Sequence, residues 1–217
     1  SDDPVGNRPN LYIVADGMGG HRAGGKASSF AVERFVELIE ESEQTDPIEL
    51  MKTCIATVNQ EIIAESKENE KYAGMGTTFV AATVSDHKVT VMNIGDSRLY
   101  YGNKELKQIT VDHSYVEELI NAGMLDREQG RIHPKKNVIT RALGSQVATP
   151  DFFEFEAEEG YLLLCSDGLS NMISNDELKE LLLDHDQIAN KINKMIARAN
   201  EYGGKDNISL VIVDLKR

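Results

Sequence analysis

The 217-residue sequence predicts an α+β fold in which a core of antiparallel strands is flanked by helices. Two helical patterns come first, β-branched-rich runs separated by short turns fill the middle, and two more helical patterns precede a last apolar run. The strict alternation of strand and helix that is typical of a doubly wound parallel sheet is missing. We find neither a repeat of fixed period nor a convincing linker, so we expect a single domain over residues 1–217.

The order of the first segments follows from hydrophobic periodicity and turn residues. We expect an extended lead-in over 1–10, a buried strand over 11–15, a glycine-rich loop over 16–25, and helices over 27–41 and 47–68. Both helices have apolar residues at helical spacing. The second also has Asp46 as an N-cap residue and Pro47 at its first position, which are typical of a helix start.

The middle of the chain changes to a strand-like period, and the end returns to helices. We expect strands over 77–84, 88–94, 98–101, 105–109, 138–141, 152–155 and 161–165, helices over 174–183 and 187–202, and a last strand over 208–215. Short turns at 85–87 and 102–103 join the first four of these strands into two hairpins. Residues 112–134 are polar and partly helical, with no strong core face.

Composition and charge exclude several classes of protein. A hydrophobic share of 41% and a charged share of 27% are ordinary for a soluble globular protein. The formal net charge of −13 repels phosphate backbones, so nucleic-acid binding is not expected. We recognise neither a leader peptide nor an apolar stretch of about 18 residues, the length of a membrane span. Cys54 and Cys165 lie in apolar runs, which predicts buried thiols rather than a disulfide, and a cytoplasmic location.

The most informative residues are four aspartates at the ends of predicted strands. Asp16, Asp96 and Asp167 each follow an apolar run, and Asp206 comes just before the last one. Any one of them could be an ordinary turn residue, since Asp-Gly pairs are common in turns. Four together favour a site for hard divalent cations, which prefer carboxylate and carbonyl oxygens. A two-metal hydrolase needs such a set, with Asp16 as the bridging ligand and the Gly17 carbonyl as a further donor.

A competing motif lies in the glycine-rich loop. Residues 20–26 match the first seven positions of the P-loop pattern of NTPases. Ala27 follows where the pattern needs a hydroxyl for Mg²⁺, and Asp16 would bring negative charge to a loop that binds phosphates. The predicted hairpins also do not suit a parallel nucleotide-binding sheet. An NTPase is therefore the weaker alternative.

Five short motifs follow one another along the chain. They are residues 15–21 (Ala-Asp-Gly-Met-Gly-Gly-His), 74–78 (Gly-Met-Gly-Thr-Thr), 95–98 (Gly-Asp-Ser-Arg), 165–168 (Cys-Ser-Asp-Gly) and 205–207 (Lys-Asp-Asn). In this order they resemble bacterial metal-dependent Ser/Thr protein phosphatases of the 2C (PPM) type, over nearly the whole chain. The resemblance implies a four-layer α-β-β-α sandwich of two antiparallel sheets flanked by helix pairs, with the metal centre in a cleft between the sheets.

The resemblance also implies roles for individual residues. Asp16 would bridge two Mn²⁺ or Mg²⁺ ions, and Gly17 would ligate one of them through its carbonyl. Asp167 and Asp206 would complete the protein ligands of the other ion, and Asp96 with Asp167 would hold the third ion of bacterial relatives. Residues 112–143 would form the mobile flap beside the cleft, where family members adjust substrate choice. A metal-activated water would attack phosphoserine or phosphothreonine directly, without a phosphoenzyme.

The chain departs from the family pattern in two places. Family members begin with a strand, a phosphate-binding arginine and an acidic segment that come before the position of Ser1. The chain is therefore expected to be an N-terminally truncated domain, with a strand edge exposed for dimerisation. Met18 stands where eukaryotic relatives have a histidine proposed as general acid, so the leaving-group proton must come from elsewhere.

Three further residues are weaker candidates. His21 could donate that proton, although a histidine in this position more often caps or packs beside the next helix. Arg22 and His133 are candidate substrate contacts by charge and position. The expected partners are phosphoproteins, namely a Ser/Thr kinase and its substrates, by resemblance only. A non-catalytic module that binds such a partner without turning it over is the remaining alternative.

Overall fold

The structure, a computed structural model, describes residues 9–19 and 21–216, with only the backbone of His21. Most of the predicted lead-in therefore lies outside the described residues. The first half contains β1 (Asn10–Val14), β2 (Gly17–Met18), α1 (His21–Glu41), α2 (Pro47–Glu68), a 3₁₀ turn (Glu70–Tyr72), β3 (Gly76–Thr77), β4 (Phe79–Ser85), β5 (Lys88–Ile94), β6 (Arg98–Gly102) and β7 (Leu106–Gln108). The second half contains α3 (Tyr115–Asn121), α4 (Arg127–Ile132), β8 (Asp151–Glu156), β9 (Tyr161–Cys165), α5 (Asp167–Ser170), α6 (Asn175–Leu183), α7 (Ile188–Glu201) and β10 (Leu210–Asp214).

Two four-stranded antiparallel sheets form the centre of the fold. The first has the strand order β1-β4-β5-β8, and the second has the order β10-β9-β6-β7. Val14 lies opposite Val80 in the first sheet, and Leu99 lies opposite Leu164 in the second. A separate two-stranded ribbon pairs β2 with β3. Within the described residues, β1 and β10 are edge strands.

The central strands are buried on both faces, because each sheet is covered by helices on one side and by the other sheet on the other side. Phe79 and Ala81 of β4 belong to the core shared with α1 and α2, whereas Val80 and Ala82 belong to the core between the sheets. Strand β9 alternates in the same way between the inter-sheet core and the core beneath α6 and α7. This arrangement confirms the predicted four-layer α-β-β-α sandwich.

Several predicted elements are confirmed almost residue by residue. Helix α2 spans the predicted range, and the Asp46 side chain accepts the backbone N–H of Glu49 at 2.9 Å. The two predicted hairpins are β4–β5 and β6–β7. These elements depend on local signals, namely a helix cap, a proline and tight turns. All of these signals can be read directly from neighbouring residues in the sequence.

The start of α1 corrects a predicted boundary. The sequence predicts a loop to residue 25, but the helix already begins at His21. Glycine disfavours a helix by about 1 kcal/mol relative to alanine. However, Gly24 packs its backbone directly on Gly17, where a Cβ would lie 2.6 Å from the Gly17 carbonyl oxygen. Because residues 22–26 are helical and both sheets are antiparallel, the P-loop alternative has no structural support.

The predicted strand over 138–141 is wrong. Ile139 makes only an isolated bridge with Ser114, and the N–H of Thr140 donates to the His113 carbonyl at 2.8 Å. A β-branched run therefore lies along the flap without a neighbouring strand that could extend the bridge into a ladder. Smaller differences are that β4 begins at Phe79, that the last strand is limited to Leu210–Asp214, and that α5 was not expected.

The two cysteines are buried thiols, as predicted, and they do not form a disulfide. Burial raises the pKa of the Cys165 thiol to about 12, so that this thiol is uncharged at neutral pH. Among the described residues, none of the helices combines the length and the apolar character that crossing a membrane requires.

A buried lysine joins the last two long helices. Lys191 of α7 is fully buried, and its ammonium group donates to the backbone carbonyls of Leu182 at 2.5 Å and Asp184 at 2.7 Å. These are carbonyls at the end of α6 that no longer have helical partners. The same ammonium group lies 4.1 Å from the centre of the Tyr161 ring.

Replacing this lysine should destabilise the protein. In Lys191→Met the side chain keeps most of its volume, but two backbone carbonyls, that of the buried Leu182 among them, lose their donor, so we expect the free energy of unfolding to fall by about 1–3 kcal/mol. Urea denaturation measures the change. Lys194→Met is the control, because Lys194 on the same helix only forms exposed ion pairs with Asp184 and Asp186, and such pairs contribute at most about 1 kcal/mol. Equal stability of the two variants would contradict the prediction.

Candidate metal centre

The four aspartates that follow or precede strands lie at one end of the sandwich. Strands β9 and β10 are antiparallel neighbours, so Asp167, just after β9, and Asp206, just before β10, lie at the same edge. Strand β6 is the other neighbour of β9, and Asp96 lies in the turn that leads into β6. Asp16 lies between β1 and β2. Sheet topology therefore brings residues that are distant in sequence to one place.

Asp16 and Asp167 are in direct contact. Their carboxyl groups lie within hydrogen-bonding reach of each other, so that the pair can share one proton. Burial, followed by the negative charges of Asp167 and Asp206, raises the pKa of Asp16 to about 7. Burial and the charge of Asp206 also raise the pKa of Asp167 above its usual value. Burial is the larger cause of both shifts, and the repulsion between neighbouring carboxylates adds to it.

Asp206 completes this group only partly. Among the described residues, no three His, Cys, Asp or Glu side chains are close enough together to enclose an ion as they stand. Asp206 is exposed, and it acts on Asp16 and Asp167 through its charge rather than through a hydrogen bond. The centre therefore consists of one carboxyl pair in contact and a third carboxylate within electrostatic range.

Asp96 is the most buried of the four aspartates, with 8% of its surface exposed. Burial raises its pKa to about 7, and the charges of Asp167 and Asp112 add to this effect, whereas Arg98 opposes it. Arg98 itself is paired with Asp112 through two parallel contacts, at 2.9 Å and 2.6 Å. Arg98 is paired with Asp112, so it only partly offsets the negative charges around Asp96. A bound cation would neutralise the remainder.

Backbone contacts hold the loops of the centre together. A Cβ on Gly17 would lie 1.9 Å from the Gly24 carbonyl oxygen, so β2 and the first turn of α1 touch backbone to backbone. A Cβ on Gly168 would lie 2.1 Å from the carbonyl oxygen of Asn207. The second contact ties the residue after Asp167 to the residue after Asp206. The glycines of these motifs therefore allow close approach between loops that are distant in sequence.

A buried histidine, His113, fixes the loop before Asp96, and the sequence did not predict this role. The N–H of Gly95 donates to Nδ1 of His113 at 3.1 Å, which leaves the proton on Nε2, and Nε2 contacts Asp151 at 3.0 Å. Burial alone would raise the pKa of Asp151, but its hydrogen bonds with His113 and Arg141 lower it below the usual value. The partners of His113 are 18 and 38 residues away, so no local pattern could indicate them.

A cavity of about 350 Å³ extends from the carboxyl centre beneath the flap. Its lining includes Asp96 and Asp167, residues of helices α3 and α4, and Ser170. The hydroxyl of Ser170 is buried and has no hydrogen-bond partner among the described residues. Several residues of the segment 112–143 therefore line this cavity together with Asp96 and Asp167.

Of the weaker candidates, none is brought to the carboxyl pair by the described contacts. His133 packs its ring against Tyr115, with centroids 5.9 Å apart, and its Nδ1 accepts the N–H of Lys135. Arg22 is exposed near the start of α1. The side chain of His21 lies outside the described residues.

Other cations line the cavity, and sequence reasoning did not identify them. Arg131 and Lys136 belong to the lining, together with the carboxylates Glu128 and Asp176. Arg131 and Lys136 have no ion pair in the described part of the chain, whereas Arg127 is paired with Glu117 at 2.9 Å. Arginine and lysine are ordinary residues in such a polar segment, so the sequence does not single these two out. Only their position at the cavity indicates that they could contact a ligand.

Comparison with known proteins gives a consistent result. Residues 5–211 match the family model described as protein phosphatase 2C. The chain is 41% identical over 215 residues to the serine/threonine phosphatase stp of Listeria monocytogenes, covering 96% of this chain and 85% of the relative. It is 38% identical to the protein phosphatase PhpP of Streptococcus pneumoniae, covering 94% and 85%.

Solved structures agree with these sequence relatives. The serine/threonine phosphatase PstP/Ppp of Mycobacterium tuberculosis superposes with a TM-score of 0.89 at 33% identity, covering 99% of this chain and 91% of that one. A catalytic domain of PstP in complex with two manganese ions superposes with a TM-score of 0.84 at 32% identity, covering 97% and 89%.

Proposed function

The chain belongs to the protein phosphatase 2C family, and from this premise we propose that it removes phosphate from phosphoserine and phosphothreonine in proteins with the help of divalent metal ions. The observation that carries the proposal is the contact between the carboxyl groups of Asp16 and Asp167, with the charge of Asp206 close by. Buried carboxylates in contact repel each other unless a proton or a cation lies between them.

The donor atoms of the centre fit Mg²⁺ or Mn²⁺. We propose that Asp16 bridges two ions, that the Gly17 carbonyl ligates one, and that Asp167 and Asp206 ligate the other. Asp96 with Asp167 would hold a third ion. These are oxygen donors, which hard divalent cations prefer, and a solved relative contains two manganese ions. When bound, such ions would supply an activated water for attack on phosphorus and would screen the charge of the phosphate.

The state of the Cys165 thiol supports direct attack by water rather than attack by this thiol. The Cys165 thiol is near the centre in sequence, but it is fully buried and its pKa is about 12, so it cannot provide a thiolate at neutral pH. We therefore propose that no covalent phosphoenzyme forms. The protein residues then act by holding the ions and by orienting the phosphorylated side chain.

The cavity beneath the flap supports a place for the substrate polypeptide. Asp96 and Asp167 line it together with Arg131 and Lys136, and neither of these two cations has an ion pair among the described residues. We propose that residues flanking the phosphorylated side chain lie in this cavity. Contacts of Arg22 and His133 with substrate, and proton donation by His21, stay predictions.

The proposal extends to phosphoprotein partners. Relatives named Ser/Thr phosphatases imply phosphoprotein substrates, and we propose that a Ser/Thr kinase and its targets are among them. Dimerisation through an exposed strand edge stays a prediction, which size-exclusion chromatography tests.

A phosphate-release assay tests the proposed function. The purified chain should release orthophosphate from a phosphothreonine peptide when Mn²⁺ or Mg²⁺ is present and should lose this activity in EDTA. With a ³²P-labelled substrate, acid-quenched protein should carry no label, because water attacks phosphorus directly. Absence of release with either metal would contradict the phosphatase proposal, and a labelled protein would contradict direct attack.

A further inference from the structure

We propose that the hydroxyl of Thr78 positions the metal centre by coupling the loop of Asp16 to the loop of Asp96. The inference rests on the proposed metal centre, and it assigns a positioning role to a residue that is not itself a ligand. Thr78 lies between β3 and β4, and only 2% of its surface is exposed. Three independent contacts of this side chain carry the argument.

The first contact concerns the backbone of Asp16, which lies where the pairing of β1 with β4 gives way to the pairing of β2 with β3. The N–H of Asp16 donates to Oγ1 of Thr78 at 3.0 Å. The carbonyl of Asp16 accepts the N–H of Thr78 and the hydroxyl of Thr77, both at 2.9 Å. A side-chain oxygen thus provides the partner for a backbone donor at the break in the ladder.

The second contact reaches the loop of Asp96. Oγ1 of Thr78 lies 2.7 Å from Oγ of Ser97, and Ser97 is completely buried. Ser97 directly follows Asp96 in the chain. A threonine hydroxyl has one proton and two lone pairs, so it can accept from Asp16 and bond to Ser97 at the same time. One oxygen atom therefore joins the two loops.

The third contact is close packing of the loop of Asp96 against the side chain of Thr78. Gly95 has a positive φ of 104°, and a Cβ there would lie 2.7 Å from both Cβ and the methyl carbon of Thr78. The loop of Asp96 therefore packs closely on the methyl group of Thr78, while the hydroxyl bonds to Ser97. Because these groups are buried, water cannot replace the hydroxyl if it is removed.

Two substitutions separate the hydroxyl from the shape of the side chain. Thr78→Val keeps the branched shape and removes both hydrogen bonds, whereas Thr78→Ser keeps the hydroxyl and removes the methyl group. We expect Thr78→Val to weaken Mn²⁺ binding about tenfold, the lower end of what loss of a ligand's supporting hydrogen bond costs. Thr78→Ser should bind within about twofold of the wild type. Isothermal titration calorimetry with MnCl₂, well below the melting temperature of every variant, measures these affinities.

A double-mutant cycle tests the coupling itself. Ser97→Ala removes only the bond between Thr78 and Ser97 and keeps the bond from the Asp16 N–H, so we expect it to weaken Mn²⁺ binding less than Thr78→Val. The double variant Thr78→Val/Ser97→Ala should then bind about as weakly as Thr78→Val alone instead of showing the product of the two effects. If Thr78→Val does not fold, Ser97→Ala measured against the wild type still tests the bond between the two loops, and unchanged Mn²⁺ binding would contradict the coupling.

The outcomes separate this inference from the proposed function. A wild-type protein that binds Mn²⁺ together with a Thr78→Val variant that binds equally tightly would overturn the positioning role and leave the phosphatase proposal intact. A wild-type protein that binds neither Mn²⁺ nor Mg²⁺ would overturn both. Weaker Mn²⁺ binding in Thr78→Val together with near wild-type binding in Thr78→Ser supports the inference, because a general loss of structure would not depend on whether the hydroxyl is present.

Discussion

Asp16→Asn should reduce metal-dependent phosphate release by about a thousandfold in kcat/KM. The substitution keeps the size of the side chain but removes the negative charge that is proposed to bridge two cations. Loss of such a ligand costs several kcal/mol of the charge stabilisation that metal ions supply, and about 4 kcal/mol corresponds to a factor of a thousand. Initial rates on a phosphothreonine peptide over a range of MnCl₂ concentrations measure the effect.

The matched control for this substitution is Asp214→Asn. Asp214 lies at the exposed end of β10, away from the carboxyl pair, so its variant makes the same chemical change outside the centre. We expect this variant to keep wild-type activity. An Asp16→Asn variant as active as Asp214→Asn at every metal concentration would show that Asp16 is not a ligand.

The same substitution should stabilise the protein in EDTA. In the folded chain the Asp16 carboxyl is buried beside Asp167 and within the field of Asp206, and these effects raise its pKa from 3.8 to about 7. Above that pH the folded state contains an ionised Asp16 carboxylate, which its burial and the neighbouring negative charges make unfavourable. Asparagine removes the charge, so urea denaturation at about pH 8 in EDTA should give a larger free energy of unfolding for Asp16→Asn than for the wild type.

The stability of the wild type in EDTA should depend on pH in a defined direction. Asp16 and Asp96 keep their protons up to about pH 7 in the folded chain, whereas the unfolded chain releases them near pH 4. Between these values the folded state binds more protons, so the free energy of unfolding falls as the pH rises. Saturating Mn²⁺ should remove this fall, because a bound cation takes the place of the protons. An unchanged slope in Mn²⁺ would contradict the prediction.

The parts of the fold that the sequence predicts well depend on neighbouring residues. Helix α2 follows from Asp46 and Pro47, and the hairpins follow from tight turns between β-branched runs. The aspartates at strand ends were identified for a similar reason, since a carboxylate after an apolar run is visible locally. That Asp16 contacts Asp167 depends on which strands pair, and pairing is a property of the whole sandwich.

The parts that the sequence could not predict depend on distant contacts. Helix α1 begins at His21, and the backbone of Gly24 in its first turn packs on the backbone of Gly17. Helix propensities count these glycines only as unfavourable, so they do not predict a helix start there. The role of His113 depends on Gly95 and Asp151, and its own neighbours suggest nothing of it. The cations beneath the flap were missed for the same reason.

Gly24→Ala should damage the metal centre from outside it. A Cβ on Gly24 would lie 2.6 Å from the Gly17 carbonyl oxygen and 2.7 Å from the carbonyl carbon, both of them backbone atoms. Either α1 or β2 must move, and the Gly17 carbonyl is a proposed ligand. We expect Mn²⁺ binding to weaken about a hundredfold, the upper end for groups that hold ligands in place, and overpacking to cost about 1–3 kcal/mol of stability.

The neighbouring Gly25→Ala is an unusually close control, because it makes the same change in the same turn of α1. A Cβ on Gly25 meets nothing within 4 Å, so this variant should bind Mn²⁺ like the wild type. It should also be more stable by up to about 1 kcal/mol, since alanine favours a helix over glycine. The two variants are therefore expected to change stability in opposite directions. If calorimetry gave both the same Mn²⁺ affinity, contact between α1 and Gly17 would have no part in holding the proposed ligand.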